Sequence, residues 1–179
     1  MRALLLAALT TLIATASTAD IAWKADRIAP GSVMVLDSDG DVFTHVRRAS
    51  DTGLFRFDAY AGHGKAADYV GSYLTNARGE IVRQIDADGK VTSYAPHRCQ
   101  RSVGKCSYTI THADGFQEAR TRVTRDTGGV LEYREYGLDG LIGSGRLTLD
   151  AMGTTLSGWR KDHQTGQTTR IRQIAAAYR

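Results

Sequence analysis

Proline is nearly missing from this chain, at 2 in 179 residues, and cysteine is equally scarce at 2. So little proline excludes a proline-rich tail, and the 19 glycines point instead to many tight turns. With no second cysteine pair and no closely spaced histidine pair, the usual zinc-site spacings are missing. Beyond the first residues no stretch is long and apolar enough to span a bilayer as a helix. Hydrophobic residues at 42% and charged residues at 23% are ordinary globular usage, which excludes disordered, collagenous and coiled-coil classes.

What is present begins with an address. Met1 and Arg2 precede an uncharged run from Ala3 to Ile13, and small residues follow up to Ala19, before Asp20. This reads as a secretory signal peptide, residues 1–19, with Ser17 and Ala19 small enough for the peptidase pocket. A membrane anchor would need ~20 apolar residues, about twice the strongly apolar part. No cysteine stands at the cleavage point, which excludes a lipid-modified one. Removing 19 of 179 residues leaves 160 in a single domain, 20–179, and losing Arg2 takes the net charge from +4 to +3. The mature chain is expected to be periplasmic or secreted and to lack a transmembrane helix.

Charge is unevenly placed. From Asp20 to Ala95 nine basic residues face eleven acidic ones, whereas Pro96 to Arg179 holds thirteen against eight. An anionic surface or acidic polymer is the partner such asymmetry suits. The candidate patch comprises Arg120, Arg122 and Arg125 with Arg98 and Arg101. Export argues against nucleic acid.

An even cysteine count in an exported chain favours a bridge between Cys99 and Cys106, pinching the neck of a hairpin loop. A two-thiolate metal site helped by His97, or a redox pair, are the alternatives; six intervening residues fit neither well.

From Val33 onward, short β-like stretches alternate with turn clusters every ten to fifteen residues or so, the spacing of an all-β meander. Four turns carry Asp-Gly, whose glycine accepts the positive φ of hairpin corners. About 11–12 strands result. Phe55, Phe57 and Ala59 oppose Arg56 and Asp58, while Leu141, Leu147 and Leu149 oppose Ser144, Arg146 and Thr148, so these strands have one wet face. Glycines inside strands at Gly71, Gly143, Gly145 and Gly158 imply sharp bends or close backbone approach. The expected fold is all-β, an antiparallel up-and-down meander forming a closed barrel or a strongly curved two-layer sheet. Helix is expected only near Ile21 to Ile28 and in the tail Ile171 to Ala177. The architecture resembles that of small exported ligand-holding barrels such as lipocalins, although their Gly-x-Trp near the first strand is missing. An outer-membrane barrel is disfavoured, because Glu118, Arg120 and Arg122 share one strand parity and the other parity is only weakly apolar.

Catalytic motifs are missing, and no catalytic residue, metal ligand or cofactor is assigned. Asp37-x-Asp39-Gly40-Asp41 resembles the start of a calcium loop, but the twelfth position is Arg48, so an acidic turn is the better reading. No Gly-x-Ser-x-Gly elbow occurs; Gly143-Ser144-Gly145 comes nearest. The five histidines are scattered, and His63, between Gly62 and Gly64, is the best placed to meet a ligand. Tyr69 and Tyr73 share a parity around Gly71, which would leave a notch between two rings. Ligand-binding candidates are therefore Tyr69, Tyr73 and His63. The leading expectation is a noncatalytic protein that binds a small ligand or joins an envelope complex. The rivals are an envelope hydrolase using His63 or His45 with Asp and Tyr, and a secreted toxin or immunity-type interaction protein.

Overall fold

The computed structural model describes residues 25–50, 53–63 and 68–179, so residues 1–19, expected to form a signal peptide, lie outside the described residues. A short 3-10 turn, Ala25–Arg27, leads into twelve strands: β1 Val33–Ser38, β2 Asp41–Arg48, β3 Phe55–Ala61, β4 Asp68–Thr75, β5 Ile81–Asp86 and β6 Val91–Ala95. They continue as β7 Gly104–Thr111, β8 Gln117–Asp126, β9 Val130–Gly137, β10 Gly140–Leu149, β11 Thr155–Asp162 and β12 Thr168–Ala177. Each pairs antiparallel with the next, and β12 returns to β1, closing the barrel. The fold expectation is met, including the strand number.

The tail is a correction. Ile171 to Ala177 lies within β12, where Ala177 pairs with Val33 and Gln173 with Leu36. Alanine favours helix in isolation, yet β1 would otherwise stay an unpaired edge, and tertiary pairing overrides a weak propensity.

Register assigns the two faces. Met34, His45, Ala59 and Gly71 form one rung, and Arg47, Phe57, Tyr73 and Gln84 another. These residues face the interior, where Phe57 and Met34 are buried with Ile28. Arg56 and Asp58 face outward, Asp58 accepting from Arg48 Nε at 2.7 Å and Arg56 Nε at 2.8 Å. Charges at mid-wall, including Glu132, Arg134 and Arg146, interrupt the continuous apolar belt that a lipid-facing wall requires.

Of five register shifts among the described strands, two move residues named above to another face. Between Ala59 and Tyr60 of β3, the partner jumps from Gly71 to Tyr69, with Val70 passed over. Gly71 takes φ +146°, and a Cβ there would lie 2.5 Å from the Ile85 carbonyl oxygen. In β10 the register shifts between Leu141 and Gly143, so Leu141 is exposed while Leu149 is buried. The three leucines read as one parity thus divide between faces.

One barrel end is closed by the turn at Ala25–Arg27 and the loop after β6. Cys99 and Cys106 are bridged, with their Cα atoms 5.9 Å apart. Cys99 is fully buried against Tyr94 and Tyr108. Glu80, 1% exposed, holds this loop in place: one carboxylate oxygen accepts from the Arg101 amide at 2.7 Å and from Ser102 Oγ at 3.0 Å.

Candidate functional site

Twelve strands enclose more space than side chains fill. A cavity of about 680 Å³ occupies one side of the interior. Its apolar wall comes from Met34, Leu36, Phe43 and Ile81, and its polar wall from His45, Gln84, Arg101, Arg160 and Gln173. Asp86 and Lys90 mark its extent towards the end of the barrel where β5 finishes.

Three side chains define its inner part. Tyr73 stacks on Phe57 at 5.2 Å and meets the His45 ring edge-on at 5.7 Å. Burial pushes the Tyr73 hydroxyl's pKa up, keeping it protonated. His45 is largely buried, its pKa is lowered to about 4 by desolvation, and its Nδ1 has no hydrogen-bond partner among the described residues. It is therefore a neutral imidazole near neutral pH. Arg101 reaches in from the disulfide loop; burial lowers its pKa to about 10, so it stays cationic at pH 7.

Beyond Arg160 lies a second, polar hollow of about 300 Å³ lined by Arg98, Tyr133, Glu135, Asp162 and Thr169. Gly145 makes room for the Tyr133 ring, since a Cβ there would sit 2.6 Å from it. Arg122, 4% exposed, lies over that ring and 3.7 Å from Glu135, which also accepts from the Tyr108 hydroxyl.

The sequence candidates are dispersed. Tyr73 lines the cavity, but Tyr69 is 39% exposed and packs edge-on against Tyr60, because the bulge at Val70 breaks the shared parity. No notch flanked by both rings forms. His63 is exposed beyond the end of β3, outside the cavity lining. The basic patch is not a surface patch: Arg98 and Arg101 project from the disulfide loop into the barrel, and Arg122 points inward from β8. Arg120 pairs with Glu118 on the same inward parity, and only Arg125 is exposed on the outside.

Other motifs settle similarly. Asp37 caps its own turn, accepting from the Gly40 amide at 2.9 Å, and Asp39 accepts from the Arg170 amide at 3.1 Å. These contacts build an acidic turn that also fastens β12. A His97 ring nitrogen lies within 4.8 Å of both cysteine sulfurs, but the sulfurs are bonded to each other. Ser144 Oγ and His163 Nε2 are 2.9 Å apart on the exposed outer wall. The sequence offered His45 only as a hydrolase group and Arg101 only as part of a basic patch; the register and the disulfide loop bring both to one cavity.

No family model, no curated protein and no solved structure matches this chain.

Proposed function

We propose that this chain is an exported, noncatalytic barrel that takes up a small ligand in its interior cavity. The observation that carries the reading is the unpartnered Nδ1 of buried His45 in a roughly 680 Å³ cavity. A buried polar atom without a partner costs about 1–3 kcal/mol, which a bound molecule offering a hydrogen would offset. Cavities of ~300–1,000 Å³ suit small molecules, and a mainly apolar lining with a few polar groups matches such sites. Neutral His45 and cationic Arg101 suit a ligand carrying both a hydrogen-bond donor and acceptor groups, and the Tyr73 and Phe43 rings suit an apolar body.

Binding is favoured over hydrolysis by what surrounds the histidines. Among the described residues His45 contacts a tyrosine ring and pairs with no carboxylate, and its lowered pKa makes it a poor base at pH 7. The Ser144–His163 pair stands on the open outer wall.

The test is native mass spectrometry of the chain after incubation with envelope extract, alongside Ala59→Leu. Ala59 lines the cavity, so the larger side chain takes up ligand space. Retained small-molecule mass on wild type that is lost in the folded variant is the expected result. Ligand-free wild type, with no extract component raising its melting temperature, would overturn the proposal.

A further inference from the structure

The register places a second feature on the opposite side of the wall. Across the exterior of β8 to β12, Arg125 pairs with Glu132, Glu132 with Arg146, Arg146 with Trp159, and Trp159 with Arg170. The adjacent rung places Arg134 beside Ser144 and Ser144 beside Lys161. Five exposed cations, Arg125, Arg134, Arg146, Lys161 and Arg170, thus share two rungs with one acid, Glu132. Arg146 meets Glu132 at 3.6 Å; among the described residues the other four cations form no ion pair. A groove of about 540 Å³ lies within this band, lined by Arg125, Arg134 and Arg146 with Trp159, 39% exposed, on its wall; Lys161 and Arg170 stand beyond it. At ~4.8 Å between strands the cations span roughly 19 Å, far longer than one small anion.

We infer that this outer groove binds an acidic polysaccharide, its carboxylate or sulfate groups on the arginines and one sugar face on Trp159. Guanidinium forks hold carboxylate or sulfate oxygens in pairs. The half-exposed indole, flanked on its rung by Arg146 and Arg170, offers a flat apolar platform between charged contacts. A planar anionic bilayer suits the band less well: a barrel wall curving through five strands carries Arg125 and Arg170 away from any one plane. Single-stranded nucleic acid would use a series of aromatic platforms, one for each successive base; of the three aromatics that line this groove Tyr133 is held under Arg122, which leaves Trp159 and Tyr136.

The experiment is heparin affinity chromatography and titration of heparin oligosaccharides followed by tryptophan fluorescence. Parallel titrations use neutral dextran, a poly-dT oligonucleotide and phosphatidylglycerol vesicles. The expected result is oligosaccharide binding that weakens as salt rises, with no dextran binding. Arg134→Glu with Arg146→Glu should lower affinity at least tenfold, and Trp159→Ala about fivefold, both with an unchanged circular dichroism spectrum. Absence of heparin binding overturns the inference, as does binding indifferent to the charge reversal, or a preference for the oligonucleotide or the vesicles. If the double variant is misfolded, Arg134→Gln and Arg146→Gln made singly, each expected to weaken binding, decide the question.

Discussion

Inside the barrel the guanidinium carbon of Arg122 sits 3.5 Å from the centroid of the Tyr133 ring, and its Nη1 lies 3.7 Å from a Glu135 carboxylate oxygen. A buried cation is tolerated only with such partners, and removing one partner leaves an uncompensated charge that costs about 3–5 kcal/mol. Glu135→Ala is expected to lose stability on that scale. Arg122→Met combined with Glu135→Gln should cost less than the summed single changes, by at least ~1 kcal/mol. Urea denaturation of the four proteins measures the coupling, and strict additivity would contradict the pairing.

Acid should weaken the fold through His45. Its pKa is near 4 when folded, against 6.5 for the free side chain. Between those values the unfolded chain binds a proton that the folded chain refuses. The contribution is therefore complete above about pH 6.5 and is lost as pH falls towards 4, up to ~3 kcal/mol. Denaturation at pH 7 and pH 4.5 should show a smaller drop for His45→Gln than for wild type. Equal drops would place the histidine outside the low-dielectric interior.

The Cys99–Cys106 bridge closes a loop of eight residues, worth roughly 2.5 kcal/mol in the chain-entropy model. Cys99→Ser with Cys106→Ser should destabilise by about that amount. It should also release Arg101 from its place, since the bridge and Glu80 hold that loop from two sides. Hydrogen exchange resolved by residue should find faster exchange at the Arg101 amide while β9 and β10 keep their protection.

Gly158 of β11 lies so near β10 that a Cβ would fall 2.2 Å from the Arg146 carbonyl oxygen and 2.8 Å from Leu147 Cδ2. Gly158→Ala should destabilise by about 1–3 kcal/mol through overpacking. Gly166, in the turn beyond Asp162, has nothing within 4 Å of its hypothetical Cβ. Its φ of +75° makes Gly166→Asn the milder change there. Thermal unfolding of the two variants distinguishes steric crowding from a general intolerance of substitution.

Turn chemistry and alternation made the barrel readable. Asp39-Gly40 and Asp88-Gly89 fall between strands as expected, and Phe55, Phe57 and Ala59 do turn away from Arg56 and Asp58. Period-two reading assumes an unbroken pleat, so it misplaced Tyr69 relative to Tyr73 and Leu141 relative to Leu149, where bulges add a residue. The arginines were misread for another reason. A small barrel packs apolar residues inside, but twelve strands leave room for Arg98, Arg101 and Arg122 with water or ligand, so charge no longer identifies the outer face. The Arg146–Trp159–Arg170 rung was illegible because those residues meet only through pairing between strands.

The junction of β1 with β12 differs from the other contacts in the wall: it ties Asp37 to Arg172 across 135 positions, whereas neighbouring strands join through short hairpins. Hairpins form early, and this clasp has to wait for the entire ribbon. Until it fastens, two raw strand edges are open to recruitment by another copy, which makes strand exchange at the clasp the characteristic misassembly of this molecule.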